Sequence, residues 1–344
     1  MNQLEKAKSA TPLKIGLVGT GYAAQKRAEA FLADSRSELL YVAGNIPERT
    51  AVFCQSCGAS PLDSWKQLIA RPELDLIAIC TINSEHAAIA RAVLEAGKHA
   101  IVEYPLALSV DEAEELAALA QRQGKLLHVE HIELLGGLHQ AVRQHLPQIG
   151  SPFYARYATL LGQRPAPRRW TYHQQKFGFP LIAALSRIHR LTDLFGKVES
   201  VSCQSRLWEA PESGYFTSCL SAAQLQFSNG LIAEIIYGKG EIIWQEHRTL
   251  ELQGEAGALI FEGEAGRLIQ GSEVVPIEVG SRRGLFARDT ELVLDYLWNN
   301  KPLYVNLAAS LYALKVAAAA WQSAKTGNTI FMERFGLPIL PLSS

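Results

Sequence analysis

The sequence predicts two domains: an α/β Rossmann domain, followed by an α+β domain with a large, mostly antiparallel open sheet. Three observations support this fold class. A strand, a glycine-rich turn and a helix come first, over residues 13–32. Apolar strands and helices then alternate to about residue 130, which is typical of a parallel sheet. From about residue 150 the strands are longer and alternate polar with apolar residues, which indicates an antiparallel sheet packed on one face.

Length and patterning divide the 344 residues into four segments. We expect a loose leader over 1–12, a dinucleotide-binding domain over 13–130, a substrate-binding domain over 131–330 and a tail over 331–344. With 33 Lys and Arg against 34 Asp and Glu, the net charge of −1 argues against a nucleic-acid partner. No apolar run approaches a membrane span, and the five scattered cysteines fit a reducing cytoplasm. We therefore expect a cytoplasmic protein, a monomer, with a small-molecule substrate.

The first strand leads into a dinucleotide-binding fingerprint. Leu13–Val18 is apolar and is followed by the spacing G-x-G-x-x-A and then by a helix, the context that this motif requires. Its first glycine permits the tight turn, its second lets the backbone approach a pyrophosphate, and its alanine allows helix and strand to pack closely. The predicted cofactor contacts here are Gly19, Thr20, Gly21, Tyr22, Ala23 and Ala24.

The end of the second strand indicates which dinucleotide is preferred. Leu39–Ala43 ends in Gly44 and Asn45, without the carboxylate that would bond a ribose 2′-hydroxyl, and Arg49 follows. An arginine near this position can pair with a 2′-phosphate, which favours NADPH, with NADH possible but less favoured. The alternative is that Arg49 is only a solvated helix charge.

The loop after the strand Leu74–Cys80 supplies further candidate cofactor contacts, Thr81, Asn83 and His86. Ser84 resembles a helix N-cap, so His86 is expected in the first helical turn, where the helix N-terminus disfavours an imidazolium. We predict a neutral His86 that faces a nicotinamide; the alternative is a first-turn histidine in contact with solvent.

The following strand ends at a polar corner. Its apolar residues 100–102 stop at Glu103-Tyr104-Pro105, because a proline cannot donate to a strand ladder. This places Glu103 and Tyr104 at the carboxyl end of a strand, where open α/β sheets bind ligands, and we predict that both contact the cofactor. The next strand, 125–131, carries Glu130, which we predict to be a carboxylate in the cleft; its His and Glu residues alternate between faces, so no metal site is expected.

Basic residues mark the second domain. Arg187 and Arg190 are three residues apart on a predicted helix over Pro180–Phe195, so they share a face and could bind carboxylates. The alternative is a solvated basic face. With Lys239 and Arg248, and with nearby aromatic residues, they suit a large, flat ligand that carries acids on an exposed sheet face.

The fingerprint, the corner at Glu103-Tyr104-Pro105 and the two-domain plan resemble the family of glucose–fructose oxidoreductase and inositol dehydrogenase, over about residues 13–325. Two departures matter. Tyr104 stands where the family's sugar dehydrogenases have a lysine, and Ser186 and Arg190 stand where they have an Asp and a His. The proton relay for oxidising an alcohol is therefore missing.

The same corner, together with H-V-E-H-I-E-L-L at residues 128–135, resembles the biliverdin reductase branch of this family; residues 156–172 and 183–195 are similar to its cyanobacterial members. The resemblance implies NAD(P)H-dependent reduction of biliverdin IXα to bilirubin at the central methine carbon, C10, with protonation of a pyrrole nitrogen. Arg187 is then the favoured proton donor, and the rival donors are Glu130, Tyr104 and His86. The biliverdin-binding candidates are Arg187, Arg190, Lys239 and Arg248. The alternatives are an NADP-dependent sugar or dihydrodiol dehydrogenase, and a non-catalytic regulator that senses the cofactor.

Overall fold

The first domain is built on a six-stranded parallel sheet. The computed structural model describes residues 11–335, so most of the predicted leader and of the predicted tail lies outside the described residues. The elements of this domain are β1 (Leu13–Val18), α1 (Tyr22–Ala33), β2 (Ser37–Ala43), α2 (Pro47–Cys57), β3 (Ser60–Leu62), α3 (Trp65–Ile69), β4 (Leu76–Ile79), α4 (His86–Glu95), β5 (His99–Val102), α5 (Val110–Gln123) and β6 (Leu127–Val129). The strand order β3-β2-β1-β4-β5-β6 confirms the predicted Rossmann domain.

The second sheet has nine strands and is mostly antiparallel, as predicted. The remaining elements are α6 (Gly137–His145), β7 (Pro152–Gly162), α7 (Gln174–Phe177), α8 (Pro180–Ala183), α9 (Ser186–Phe195), β8 (Val198–Glu209), β9 (Phe216–Phe227), β10 (Ile232–Gly240), β11 (His247–Gly254), β12 (Gly257–Glu262), β13 (Ala265–Gln270), β14 (Glu273–Glu278), α10 (Leu285–Asn299), α11 (Leu307–Thr326) and β15 (Ile330–Phe331). The strand order is β14-β13-β12-β11-β7-β10-β9-β8-β15, and of these pairs only β7–β10 is parallel.

One face of the second sheet packs against helices and the other is open. The helices α8 and α11 lie on β8, β9 and β10, and α9 packs on α11. Along β10 the side chains of Ala233, Ile235 and Tyr237 are buried on the helix side, whereas Ile232 is exposed. This alternation is the one that the sequence predicted, because only one face of the sheet contributes to a core.

The sequence-based division of the chain placed residues 285–299, which form α10, in the second domain. It follows the strands of the second sheet, yet it packs against α1, and its Val293 lies in the same apolar core as Ile15 and Phe31 of the first domain. The first domain therefore includes a helix from the far end of the sequence.

The predicted helix over Pro180–Phe195 is interrupted. The backbone of Ala184 leaves the helical region, with φ −104° and ψ 32°, so α8 stops there and α9 begins at Ser186. Because α9 begins at this point, Ser186 and Arg187 lie in its first turn, beside the end of the first domain's sheet.

Candidate active site

The cleft between the two domains forms where the carboxyl ends of β4 and β5 meet the start of α9. The phenol of Tyr104 donates a hydrogen bond to Ser186 Oγ at 3.3 Å. The side-chain amide of Asn83 donates to the carbonyl of Phe177 at 3.0 Å. Asn83 is therefore engaged by the second domain, and the structure gives it a role in joining the domains beside its predicted role as a cofactor contact.

The glycine-rich turn fits a dinucleotide pyrophosphate. Gly19 has φ +121°, and a Cβ there would lie 2.3 Å from the carbonyl oxygen of Cys80, so only glycine allows this close approach. A Cβ added at Gly21 would meet nothing within 4 Å, which leaves open space in front of the N-terminus of α1. Ala24 is buried and Tyr22 is exposed, with its ring edge-to-face on Phe286. A helix N-terminus with free backbone N–H groups suits an anion.

Arg49 lies beyond the end of β2, near which the adenosine ribose of a dinucleotide is expected to bind. Gly44 lies tightly between Thr20 and Thr50, whose nearest atoms would be 2.8 and 2.5 Å from an added Cβ. Asn45 and Arg49 follow at the start of α2 and are exposed. Within residues 11–335, the Arg49 side chain makes no ion pair or hydrogen bond. This arrangement fits the 2′-phosphate of NADPH, which the guanidinium could bind.

We expect Arg49→Ala to raise the KM for NADPH by about 10- to 100-fold, because a charge-assisted bond to a phosphate is worth about 1.5–3 kcal/mol. The KM for NADH should not change, since NADH has no 2′-phosphate. Steady-state kinetics with both cofactors measure this, and Arg122→Ala, at an exposed arginine near the end of α5, is the control. Equal effects of Arg49→Ala on both cofactors would contradict the assignment.

His86 supports the polar corner and does not face an open cleft. Its ring is buried, with Nδ1 at 2.8 Å from the Pro105 carbonyl and Nε2 at 3.3 Å from the Thr81 carbonyl. Burial, more than any other factor, lowers its pKa, so the expected neutral imidazole is present for a different reason. With both ring nitrogens against carbonyl oxygens, His86 has no atom free to serve as the predicted proton donor. Ser84 is not an N-cap either, because Glu85 precedes the first residue of α4.

The sequence predicted Glu130 to be a carboxylate in the cleft, but its side chain is buried. Its Oε1 accepts from the backbone N–H of Ile132, and its pKa is raised well above normal by burial and by the nearby carboxylates of Glu103 and Asp289. Arg27 of α1 pairs with Glu103 at 3.1 Å and with Asp289 of α10. These residues form a buried ionic cluster under the corner.

Sequence reasoning missed Arg27 and Asp289. A signal was present for Arg27, because it lies on the face of α1 that also carries Ala24, Ala28 and Phe31, all buried. An arginine on an apolar helix face indicates a buried partner. No local signal identifies that partner, since Asp289 is 262 residues further along the chain.

Arg187, on α9, places a positive charge at the cleft. Its Nη1 donates to Ser186 Oγ at 3.2 Å, its Nε donates to Thr159 Oγ1 at 3.4 Å, and its guanidinium lies 5.0 Å from the ring centroid of Tyr237. Among residues 11–335 it has no carboxylate partner within ion-pair distance. Burial raises the pKa of Tyr104 to about 12, against the opposing effect of Arg187, so the phenol stays protonated at neutral pH. Tyr104, Ser186 and Arg187 thus form one polar wall.

Arg190 is not available to a substrate, contrary to the prediction. It is buried, its Nη2 lies 3.4 Å from Glu133 Oε2, and its Nη1 donates to the Tyr157 hydroxyl at 3.2 Å. Glu133 also pairs with Arg282. The shared helix face was predicted correctly, since Arg187 and Arg190 both contact β7, but Glu133 already neutralises Arg190.

Lys239 is likewise enclosed rather than exposed to a ligand. Its Nζ donates to the Thr171 carbonyl and lies 3.5 Å from the ring centroid of Phe177 and 4.6 Å from that of Tyr172. Burial lowers its pKa to about 8. The ammonium therefore holds the segment before α7 against β10 and does not reach a substrate carboxylate.

The lowered pKa of Lys239 predicts a pH-dependent stability. Between pH 8 and the ordinary lysine pKa of 10.5, the folded protein has lost a proton that the unfolded chain still binds, so stability should rise with pH in this window. We expect Lys239→Met to flatten this rise without a loss of stability at pH 7, because a thioether suits an aromatic cage. Urea unfolding at pH 7, 8, 9 and 10 measures it; a slope identical to the wild type would contradict the assignment.

Arg248 lies on β11, which pairs with β7 in the second sheet. In the register of β11 with β7 it lies opposite Thr159, so its side chain projects from the same sheet face as the Thr159 hydroxyl that Arg187 contacts. It is exposed, and it has no ion-pair partner among the described residues. This is the helix-covered face of the sheet, whereas the sequence predicted the exposed face as the ligand surface.

Two family models match the chain. The NAD-binding Rossmann fold of the oxidoreductase family that includes glucose–fructose oxidoreductase and inositol dehydrogenase matches residues 13–131. The C-terminal α/β domain of the same family matches residues 143–332. The chain belongs to this family. The expected family resemblance is thereby confirmed.

Three individual relatives are more specific than the family models. A crystal structure of biliverdin reductase from Synechocystis sp. PCC 6803, in complex with biliverdin and NADP+, is 59% identical, with a TM-score of 0.90 over 92% of this chain and 100% of that chain. Biliverdin reductase A of Mus musculus is 27% identical over 82% of this chain and 84% of its own length. Levoglucosan dehydrogenase in complex with NADH shares 17% identity, with a TM-score of 0.81 over 93% of this chain and 99% of its own, which shows the fold alone.

None of the helices between residues 11 and 335 combines the length and the apolarity that a membrane crossing needs. No three His, Cys, Asp or Glu side chains in that part of the chain are grouped as metal ligands would be.

Proposed function

We propose that this chain reduces biliverdin IXα to bilirubin with NADPH, by hydride transfer to C10 and protonation of a pyrrole nitrogen. The observation that carries the proposal is the 59% identity, over the full length of that protein, to a biliverdin reductase solved with biliverdin and NADP+. The cleft is consistent with it. Tyr104 replaces the lysine of the sugar dehydrogenases, and reduction of a conjugated methine needs no hydroxyl proton to be removed.

The charges of the cleft suit a bilin. Arg187 is unpaired among the described residues and lies over Tyr237, whereas Arg248 is exposed on the same sheet face. Cations beside an aromatic surface fit a flat conjugated body that carries two propionates. Since Arg190 and Lys239 are already occupied by Glu133 and by Thr171, we assign the propionate contacts to Arg248 and the contact with the reacting pyrrole to Arg187.

Bound NADPH would supply the hydride. When a hydride reaches C10, negative charge develops on the pyrrole nitrogens, and a fixed guanidinium stabilises that charge. The protein environment raises the pKa of Arg187, so it remains a cation and is a poor net acid. Arg187 therefore orients a proton and passes it on, and that proton must be replaced from elsewhere. Ser186 and Tyr104 are the hydroxyl groups beside Arg187.

An absorption assay tests this function. The protein is mixed with NADPH and biliverdin, and we expect the blue-green pigment to become yellow while one NADPH is consumed for each bilin. Oxidation of NADPH without a yellow product, or no reaction although NADPH binds, would refute the proposal. The second outcome would favour a cofactor-sensing protein, and turnover of NADP+ with sugars or dihydrodiols would favour the other dehydrogenases of the family.

A further inference from the structure

The connection between β14 and α10 brings an arginine to the dinucleotide fingerprint. A cavity of about 690 Å³ lies between α1 and the segment 281–287. Its walls include Tyr22, the first residue of α1, together with Ile132, Arg283 and Phe286. The cofactor contacts assigned above include Tyr22 but no residue of this segment.

The helix α10 has its N-terminus beside that of α1. Near the start of both helices, the Tyr22 ring meets the Phe286 ring edge-to-face, with centroids 6.2 Å apart. Further along, Arg36, which follows α1, pairs with Asp295 of α10. Because these contacts advance in the same direction along both helices, α1 and α10 are parallel. The turn before α10 therefore lies at the carboxyl edge of the sheet, where the cofactor diphosphate is expected.

This turn is on the nicotinamide half of the cofactor edge. Asp289 of α10 has its Oδ1 at 2.8 Å from His128 Nε2 of β6. In the strand order β3-β2-β1-β4-β5-β6, β6 and β2 lie on opposite sides of β1, and the predicted adenosine contact Arg49 follows β2. Of the two phosphates, the one attached to the nicotinamide ribose is then the nearer to α10.

Arg283 is the cation of this turn that has no acidic partner. Among residues 11–335, no carboxylate lies within ion-pair distance of its guanidinium, although Glu264 also lines the cavity. Arg283 is exposed, so an anion can reach it from the cavity. The other ion pairs around the cavity are Arg282–Glu133 and Lys26–Glu29.

The backbone of the turn is held in place on both sides of Arg283. The backbone N–H of Arg283 donates to Ser281 Oγ at 3.0 Å. Gly284, the N-cap of α10, has φ +77°, a value that favours glycine. At the start of the turn Gly280 packs on Gly137, where an added Cβ would lie 2.2 Å from the Gly280 carbonyl oxygen. A turn that is already ordered loses little entropy when its side chain binds an anion.

We propose that Arg283 binds the diphosphate of the cofactor, at the phosphate next to the nicotinamide ribose. The residues of the fingerprint, Gly19 to Ala24, offer backbone N–H groups but no charged side chain. A guanidinium supplies a full positive charge and two parallel donors for phosphate oxygens. Arg49 is expected to distinguish NADPH from NADH, whereas Arg283 serves both, because both contain the diphosphate. The proposal rests on the cofactor of the proposed function and is independent of biliverdin.

Calorimetric titration of the whole protein tests this contact without turnover. The probes are NADPH, NADH and adenosine 2′,5′-bisphosphate, which has the 2′-phosphate and the adenosine-side phosphate but lacks the nicotinamide-side phosphate. We expect Arg283→Ala to raise the Kd of NADPH and that of NADH by about tenfold or more, through the loss of one charge-assisted bond. The Kd of the bisphosphate should not change. Arg283→Lys should keep part of the affinity, because it retains the charge but not the planar fork.

Arg288→Ala is the matched control, because it removes the same charge near the start of α10, where Arg288 pairs with Glu291. Its Kd values should equal those of the wild type, which separates a contact of Arg283 from a general effect of charge. If Arg283→Ala left the Kd values of NADPH and NADH unchanged, the proposal would be overturned. A loss confined to NADPH, which would indicate a contact with the 2′-phosphate, would overturn it as well, and so would an equal loss for the bisphosphate. Wild-type protein that binds neither dinucleotide would instead refute the NADPH-dependent function proposed above.

Discussion

Arg187→Ala should lower kcat for biliverdin reduction by about 10²- to 10³-fold, the range typical of a group that stabilises charge or moves a proton in the transition state. The guanidinium is the cation of the polar wall that has no carboxylate partner in the described chain, and it is held by Ser186 and Thr159. NADPH binding should not change, because the fingerprint residues lie in the other domain. Single-turnover absorption kinetics measure the chemical step, and a fluorescence titration measures the affinity for NADPH.

A lysine variant separates the contribution of the guanidinium's hydrogen-bond geometry from that of its positive charge. Arg187→Lys keeps the positive charge but loses the planar fork, so we expect it to recover only part of the rate. Arg206→Ala is the control, because Arg206 is an exposed arginine of the same domain that packs on Trp208. If Arg187→Ala raised only the KM for biliverdin and left kcat unchanged, Arg187 would bind substrate without a role in the chemical step.

The sequence predicted those parts of the site that depend on local pattern. The turn at Gly19 and Gly21 was predictable because a strand, a fixed glycine spacing and a helix lie within 20 residues. The corner at Tyr104 was predictable because Pro105 ends a buried strand. The strands of the second sheet were predictable because alternation of polar and apolar residues reports a single packed face.

The functional distinction between Arg187 and Arg190 could not be predicted. Their helical spacing is local and was interpreted correctly, but Glu133, which neutralises Arg190, is 57 residues away in the sequence. The same limit applies to Lys239, whose aromatic cage comes from residues 172, 177 and 216. Spacing identifies residues that share a face; which of them are already paired depends on tertiary contacts.

The buried ionic cluster under the corner shows what those contacts position. Arg27 lies in the second turn of α1, and it pairs with both Glu103 of the corner and Asp289 of α10. Asp289 also accepts from the Tyr304 hydroxyl and lies 2.8 Å from His128 Nε2. One carboxylate thus fixes the helices α1 and α10 and the strand β6 relative to one another.

Asp289→Asn should lower the free energy of unfolding at pH 7 by about 3–5 kcal/mol, since removing one partner leaves the other charge buried and uncompensated. Arg27 and Asp289 are both fully buried, so neither charge can be hydrated in the folded protein. Urea unfolding followed by circular dichroism measures the loss. Glu291→Ala, which breaks the exposed Arg288–Glu291 pair on the same helix, is the matched control and should cost less than about 1 kcal/mol.

The pH dependence of the same ion pair gives an independent check. Burial alone would raise the pKa of Asp289, but Arg27 and His128 hold it below its ordinary value. A carboxylate whose pKa is depressed in the folded state stabilises the protein above its unfolded pKa of about 3.9, and this contribution is lost as the pH falls toward the folded pKa. The wild type should therefore lose more stability than Asp289→Asn between pH 5 and pH 2. In a double-mutant cycle, Arg27→Met with Asp289→Asn should cost clearly less than the sum of the single changes; strict additivity would show that the two charges do not stabilise one another.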